Sequence, residues 1–195
     1  KHDNIVNLIE HVGNERWQFF VLERMACDLY HLVTAGQRYG ISEAQTRLVM
    51  RDVASGMRFL HANRFTHNDI KPENILVPGD APENASWIDF GLSDRPGVLH
   101  GGTPSYLAPE ALNGRPELAS DLFALGKVIE TASTAPELRE LASNLTSWNP
   151  RERYSANEVL ERVLSLTGEI EAPKHHAPIN PWPLRLDSFQ DLELA

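Results

Sequence analysis

The sequence has little cysteine, little positive charge and no long apolar run, and each shortage excludes a class of protein. Its 195 residues contain a single cysteine, Cys27, so no disulfide can form within the chain. This count excludes the disulfide frameworks of small secreted proteins. Such a chain suits a reducing compartment, and we expect a cytoplasmic, or more generally intracellular, location.

Positive charge is scarce. Lysine and arginine total 18 residues against 27 acidic residues, which leaves a net charge of −9 at pH 7. Nucleic acids and anionic membranes attract basic surfaces, so we expect neither as a main partner. No run approaches the ~18 apolar residues of a membrane-spanning helix, and no signal segment opens the chain. A hydrophobic content of 42% instead predicts an ordinary globular domain.

The apolar pattern predicts a mainly helical core with small strand pairs. Helical spacing predicts helices near 28–35, 42–62, 118–129, 136–147 and 155–166. Beta-rich apolar runs predict strands near 5–12, 17–22, 75–77 and 87–88, the first two forming a hairpin. Ser42 and Gln45 match a capping box at the start of the longest helix, and Gly36 matches a helix stop. After Gly168 the periodicity ends in a proline-containing stretch, so we expect one domain at 1–167 and a tail or linker at 168–195.

The loop-rich middle of the chain carries an ordered set of polar motifs. Residues 67–74 read HNDIKPEN, and they are followed by DFG at 89–91, GT at 102–103 and APE at 108–110. In this order and spacing the motifs resemble the catalytic loop, the metal-binding triplet and the end of the activation segment of eukaryotic-type serine/threonine protein kinases. The triplet alone is a weak signal, whereas the ordered set is specific.

The resemblance extends on both sides of these motifs. Upstream, HDNIV at 2–6 and LERM at 22–25 resemble the family's entry to its fourth strand and its gatekeeper and hinge. Downstream, DLFALG at 121–126 and NPRER at 149–153 resemble the family's Asp-x-Trp-x-x-Gly helix and its Asp-Pro-x-x-Arg motif. The resemblance implies a mainly α (α+β) fold, the C-terminal lobe and hinge of a protein kinase domain over 1–167, with small β hairpins and the N-terminal lobe largely absent.

The resemblance also assigns chemistry to four loop residues. Asp69 would receive or orient the proton of the acceptor hydroxyl, and Lys71 would stabilise charge on the transferred phosphoryl group. Asn74 and Asp89 would supply oxygen ligands to Mg²⁺, which accompanies ATP. Any one of these residues in isolation would be read as a solvated loop residue. A protein with a Ser/Thr acceptor is the implied partner, and the oligomeric state stays open.

Four further residues are expected at the nucleotide. By resemblance, Glu23 and Met25 would present backbone groups to the adenine ring, and Leu76 would lie beneath the ring. Asp28 would accept hydrogen bonds from the ribose hydroxyls, although it is an equally good candidate for the N-cap of the helix that follows.

Other matched residues are expected to be structural. The family's buried ion pair between activation segment and lobe corresponds to Glu110 and Arg153, and Asp121 corresponds to the carboxylate that braces the catalytic loop. An apolar stack is expected of Leu8, His67 and Phe90. Nothing in the motif supplies His67 with a proton-transfer partner, which favours packing over catalysis for this side chain.

The sequence departs from the family in three places. No Gly-rich loop, strand lysine or partner glutamate precedes His2, so we expect a fragment or a truncated kinase, and a first residue other than Met favours a fragment. Asn68 replaces the family's arginine, and residues 94–102 contain no Ser, Thr or Tyr, so control by phosphorylation of this loop is not expected.

The third departure is a shortage of length. The 23 residues from Lys127 to Asn149 are too few for all the family's helices, and a docking helix is expected to be missing. These departures keep two alternatives open, a pseudokinase-like binding or scaffold module and a small-molecule kinase.

Overall fold

The N-terminal part of the chain is a two-stranded hairpin. The structure, a computed structural model, describes residues 1–34, 41–78 and 84–168. Strand β1 (Leu8–Gly13) pairs antiparallel with strand β2 (Gln18–Leu22), which confirms the predicted hairpin. β1 starts later than predicted because Ile5 bridges to Trp87, and Val6 donates its backbone N–H to the Trp87 carbonyl at 2.9 Å.

The hairpin exposes its large apolar side chains. The exposed residues come from both strands and from the turn between them: Leu8, Ile9, Val12, Trp17, Phe19, Phe20 and Val21. Their side chains alternate between the two faces of the ribbon, since successive residues of a strand point to opposite sides. Neither face of this ribbon is therefore buried among the described residues.

A second sheet holds three very short antiparallel strands, which lie side by side in the order in which they occur in the chain. They are β3 (Cys27–Asp28), β4 (Ile75–Val77) and β5 (Ser86–Trp87). β4 lies where it was predicted, and β5 begins one residue early, at Ser86. β3 was not predicted, because two residues are too short to show an alternating pattern.

Six α-helices are described. They are α1 (Leu29–Thr34), α2 (Glu43–Ala62), α3 (Pro109–Leu112), α4 (Leu118–Ala132), α5 (Pro136–Leu145) and α6 (Ala156–Thr167). The capping box of α2 is confirmed, since the Ser42 hydroxyl accepts from the Gln45 N–H at 3.3 Å and the Gln45 side chain accepts from the Ser42 N–H at 2.9 Å. The predicted stop at Gly36 and the tail from 169 onward lie outside the described residues.

The helices share one core. Val49, Val53 and Met57 on one face of α2 are each at most 1% exposed, as their spacing predicted. α2 lies against α6, α4 packs on α5, and the buried Trp87 ring donates its indole N–H to the Val53 carbonyl at 2.9 Å. None of the described helices is long and apolar enough to cross a membrane.

A single helix, α5, separates α4 from the short 3-10 helix Pro150–Glu152. α5 packs closely on α4, because a Cβ on Gly126 would lie 2.9 Å from the Leu145 Cβ. Between Lys127 and Asn149 the chain therefore holds the end of α4 and one further helix, and the absence of a docking helix stays a prediction.

Candidate active site

The carboxylate of Asp69 is the centre of the site. It lies in the loop after α2, and both its oxygens accept hydrogen bonds. Oδ1 accepts from the backbone N–H and the hydroxyl of Thr103, at 3.0 and 2.8 Å. Oδ2 accepts from the Lys71 Nζ at 2.7 Å and from the Asn74 Nδ2 at 3.1 Å. Three of the residues predicted for catalysis and metal binding therefore meet at one group.

The surroundings keep Asp69 ionised. Burial by itself raises the pKa of this carboxyl, but the hydrogen bonds from Lys71, Thr103 and Asn74 and the charge of Lys71 outweigh burial, and the pKa lies below its ordinary value. In the same pair, the hydrogen bond to Asp69 raises the pKa of Lys71 against a smaller opposing effect of burial. At neutral pH the site thus holds a carboxylate next to an ammonium.

Asn74 and Asp89 carry oxygen atoms that could serve as metal ligands near Asp69. The Asn74 amide nitrogen is fixed by bonds to the carbonyl and the carboxylate of Asp69, at 2.8 and 3.1 Å, which directs the amide oxygen to the other side. The Asn74 carbonyl accepts from the Ile88 N–H at 3.2 Å and so holds the chain just before Asp89. The Asp89 side chain is exposed, and its Oδ1 accepts from the Gly91 N–H at 3.3 Å.

This donor set fits a hard cation. An amide oxygen and a carboxylate are ligands that Mg²⁺ accepts, completed by water and phosphate oxygens. Within the described ranges no three His, Cys, Asp or Glu side chains form a metal cluster, so a cation here would depend on this mixed pair. The metal-ligand roles of Asn74 and Asp89 stay predictions that the donor chemistry supports.

The backbone of the loop that carries Asp69 is held by the carboxylate of Asp121. This buried carboxylate, in the first turn of α4, accepts the backbone N–H groups of His67 and Asn68 at 2.8 and 3.1 Å. It also bonds the His61 Nε2 at 3.0 Å. The predicted bracing role is confirmed. The contact with His61 was not predicted, since no pattern in the sequence links the end of α2 to α4.

His67 packs and positions rather than transferring protons. Its ring is completely buried, with centroids 5.0 Å from Phe90 and 5.2 Å from Trp87. Burial lowers the pKa of the imidazole more than the nearby carboxylates raise it, so the ring is neutral at pH 7. The predicted packing with Phe90 is confirmed, but Leu8 lies half-exposed in β1, and Trp87 is the other ring packed against His67.

The predicted ion pair ties the end of the activation segment to the helices. Arg153 donates from Nη1 and Nη2 to the two Glu110 oxygens at 2.6 and 3.0 Å. Nη1 also donates to the Ala119 carbonyl and Nε to the Ser147 carbonyl, both at 2.8 Å. The Arg153 side chain is fully buried, so this pair is shielded from solvent.

The residues predicted at the nucleotide lie along the hinge-like stretch and in the small sheet. Asp28 stands opposite Leu76 in the β3–β4 pairing. Its Oδ1 accepts from the His31 N–H at 2.8 Å, which confirms the helix-capping alternative for Asp28. Glu23 makes two hydrogen bonds to the backbone of Asn7. Its N–H donates to the Asn7 carbonyl at 2.9 Å, and its carboxylate accepts from the Asn7 N–H at 2.7 Å.

Leu76 and Met25 are partly buried. Their contacts with adenine, and the ribose contact of Asp28, stay predictions. Glu23, Met25 and Asp28 follow one another from the end of the hairpin into β3, and Leu76 lies in its partner strand β4.

A helical lobe that presents a buried, ionised aspartate bonded to a lysine and an amide suits a phosphotransferase. A sequence model described as "Protein kinase domain" matches residues 1–136. The chain belongs to the protein kinase family.

Individual relatives agree with this assignment. The chain is 30% identical over 171 residues to the human phosphorylase b kinase gamma catalytic chain, liver/testis isoform, which covers 82% of this chain and 40% of the relative. It is 33% identical over 136 residues to a zebrafish (Danio rerio) dual serine/threonine and tyrosine protein kinase, covering 65% of this chain and 15% of the relative.

A third relative, a serine/threonine-protein kinase of Drosophila persimilis, is 38% identical over 118 residues, which is 57% of this chain and 15% of the relative. The chain thus spans less than half the length of each of these three curated relatives.

Proposed function

We propose that this chain is the C-terminal lobe of an ATP- and Mg²⁺-dependent protein kinase that phosphorylates serine or threonine hydroxyls of proteins. The observation that carries the proposal is the Asp69 carboxylate, held by Lys71, Asn74 and Thr103 in the loop where the family places its catalytic residues. An intracellular location and a protein substrate are parts of the proposal.

Asp69 orients the acceptor. The substrate hydroxyl oxygen attacks the γ-phosphorus of ATP, the bond from that phosphorus to the bridging oxygen of ADP breaks, and the hydroxyl proton passes to the Asp69 carboxylate. A carboxylate with a lowered pKa is a weak base, so Asp69 acts mainly by holding the hydroxyl in line and takes the proton late. Lys71, beside it, balances negative charge on the phosphoryl oxygens.

Asn74 and Asp89 would hold Mg²⁺, which when bound neutralises the phosphates. For this role both residues must present an oxygen atom to the same cation. The Asn74 nitrogen is hydrogen-bonded to Asp69, which leaves the Asn74 amide oxygen for the cation. The exposed Asp89 carboxylate lies one residue after the backbone contact between Asn74 and Ile88. Both residues can thus act without rearrangement of the loop that carries Asp69.

The contact between Thr103 and Asp69 supports an aliphatic acceptor. Thr103 places its hydroxyl and N–H against the same carboxylate oxygen. A residue this close to Asp69 limits the depth available to an incoming hydroxyl, which suits a short Ser or Thr side chain better than the longer Tyr.

The test is a phosphate-transfer assay of the full-length protein with Mg-ATP and a protein substrate rich in Ser and Thr. We expect turnover in the wild type and a loss of at least about a thousandfold in Asp69→Asn, because the variant keeps the shape but can neither accept the proton nor hold the charge of Lys71. Asp3→Asn, the same change at an exposed aspartate of the N-terminal stretch, is the matched control. A wild type without turnover at any Mg-ATP concentration would contradict the proposal.

A scaffold without catalysis is the second candidate, favoured by Asn68 in the place of the family's arginine. The same assay separates the two, since a scaffold transfers no phosphate either as the wild type or as Asp69→Asn.

A further inference from the structure

A groove lies where the end of α2, the start of α4 and the start of α6 meet. It has a volume of about 660 Å³, which is enough for several side chains of a peptide. Asp69, Lys71 and Asn74 do not line it, so it is separate from the candidate active site.

Three arginines line this groove from different parts of the chain. Arg58 is on α2, Arg64 follows the end of α2, and Arg151 lies in the 3-10 helix that precedes α6. All three residues are exposed. Among the residues that the structure describes, no acidic side chain forms an ion pair with any of them. We call this surface the arginine groove.

The acidic residues of the arginine groove do not cancel this charge. The Glu158 carboxylate accepts from the N–H and the hydroxyl of Ser155 at the start of α6, at 2.8 and 2.7 Å. Glu117 is the N-cap residue of α4, where a negative charge interacts favourably with the helix dipole. Arg153 also lines the groove, but its charge is balanced by Glu110. The groove therefore has an excess of positive charge in a chain whose net charge is −9.

The backbone of Arg64 does not by itself favour arginine. Its φ is 59°, in the left-handed region that disfavours residues with a Cβ and that helix ends usually fill with glycine. Arg95 holds this backbone, since its Nη1 donates to the carbonyls of Asn63 and Arg64 at 2.9 and 3.4 Å. A glycine would fit here with less strain, so the fold does not account for the arginine. Binding of an anionic partner does account for it.

We propose that the arginine groove binds an acidic segment, rich in Asp and Glu, of a protein partner. Carboxylates fit guanidinium groups, which bind them through parallel N–H donors. Leu118 and Leu122 also line the groove and offer contacts for the aliphatic parts of a peptide. A peptide reaches into a concave surface, whereas a flat anionic membrane would also meet the negative charge of the rest of the chain. If the proposed kinase function holds, on which this part rests, the partner is the protein substrate.

The variants remove the charges with little change to the fold. Arg58→Gln keeps a good helix former on α2, and Arg151→Gln keeps the backbone N–H that donates to the Asn149 side chain. Arg64→Gly places the favoured residue at the left-handed position, so its melting temperature should equal or exceed that of the wild type. The matched control is Arg16→Gln, at an exposed arginine in the turn between β1 and β2.

The first measurement is peptide binding by the full-length protein. Fluorescence anisotropy compares a labelled Glu-rich peptide with a Gln-rich peptide of the same length, and we expect the Glu-rich peptide alone to bind. Each single variant should weaken this binding by about two- to fivefold, and the triple variant by at least about tenfold, the range of exposed ion pairs. Added salt should weaken it as well. The Arg16→Gln control should bind like the wild type.

The second measurement is kinetic. A Ser/Thr peptide substrate is assayed with and without a Glu-rich extension, which should lower KM and leave kcat unchanged because the extension binds away from Asp69. In the triple variant the effect of the extension should disappear. The KM for ATP and the kcat for the short substrate should stay at their wild-type values.

Equal binding of the two peptides by the wild type would overturn the proposal, and so would wild-type affinity for the Glu-rich peptide in the triple variant. Tighter binding to phosphatidylserine vesicles than to the peptide, lost in the triple variant, would overturn it in favour of a membrane. If the peptide binds through the three arginines but its attachment leaves KM unchanged, the groove stands and the substrate is not its partner. If the peptide binds in this way and the wild type transfers no phosphate, the groove stands and the kinase function falls.

Discussion

At the scale of single residues, the buried carboxylates in and near the site are stabilised by ion-pair and hydrogen-bond partners of the protein. Asp69 and Glu110 both have a lowered pKa, although burial alone would raise it. In each case a cation and neutral donors reverse the effect of burial. Such groups respond strongly to the loss of one partner, because the other is left charged and poorly solvated.

We predict that Glu110→Gln lowers the free energy of unfolding by about 3 to 5 kcal/mol at pH 7, because it leaves the buried Arg153 charge unpaired. Since the folded-state pKa of Glu110 lies below its ordinary value of 4.5, the pair stabilises the fold fully above that pH. The stabilisation is lost as the pH falls through the folded pKa. We therefore expect the difference in free energy of unfolding between wild type and variant, measured with urea, to decrease as the pH is lowered from 7 to 3.

The control for this experiment is Glu161→Gln on the exposed side of α6. Its effect should stay within about 0.5 kcal/mol at every pH. A gap for Glu110→Gln that does not change with pH would contradict the assignment of the stabilisation to the ion pair.

Asp89→Ala should abolish phosphate transfer in the full-length protein and lower the free energy of unfolding by only about 1 to 2 kcal/mol, the cost of placing alanine at the left-handed φ of 63° found there. The reason is that Asp89 is exposed and packs little, while its carboxylate is an oxygen ligand for Mg²⁺ in the proposed mechanism. A kinase assay and a melting curve, with the exposed Asp3→Ala as reference, check this. Undiminished turnover would make Asp89 a structural residue.

At the scale of elements, close packing decides where substitutions are tolerated. Gly56, in the middle of α2, is the point where the helix meets β5 and the N-terminal stretch. A Cβ there would lie 2.7 Å from both the Asn4 carbonyl oxygen and the Trp87 Cδ1. Neither atom is the free end of a flexible chain, so the helix or the strand must move to make room.

We predict that Gly56→Ala destabilises the fold by about 1 to 3 kcal/mol through overpacking, even though alanine is the better helix former by about 1 kcal/mol. Ser55→Ala, one residue away and only partly buried, should be neutral or stabilising. Chemical unfolding of both variants checks the pair of outcomes. A stabilised Gly56→Ala would mean that the contact between α2 and Trp87 is loose.

Helices long enough to repeat their apolar pattern several times could be predicted from the sequence. Short elements that form only by pairing with a distant part of the chain could not. α2 carries its own start signal and an apolar repeat of about three turns, so its position followed from residues 42–62 alone. β3 exists because Cys27 and Asp28 meet β4, which lies far away in the chain. The same holds at the site, where motif order identified Asp69 and Lys71 but the two carbonyls that Asn68 bonds depend on the path of the activation segment.

At the scale of the whole molecule, catalysis needs more than this lobe provides. The chain supplies the loops around Asp69, but its 195 residues contain no Gly-rich loop or strand lysine to cover the phosphates. Catalysis by positioning requires that both reactants be held from two sides.

We therefore predict that the 195-residue chain by itself transfers no measurable phosphate from Mg-ATP to a Ser/Thr substrate. The full-length protein, assayed in parallel, is the positive control. Turnover by the isolated chain that disappears in Asp69→Asn would show that this lobe is sufficient.

The hairpin of β1 and β2 has a practical consequence for work with the isolated chain. Its ribbon carries apolar side chains such as Phe19 and Phe20 in solvent, and its two strands pair only with each other among the described residues. Open strand edges with apolar flanks recruit further strands, so copies of the chain will adhere through this ribbon as their concentration rises. The sedimentation coefficient should thus rise with concentration while the helices stay folded. The storage life of a purified sample will be limited by association through the hairpin rather than by unfolding of the core.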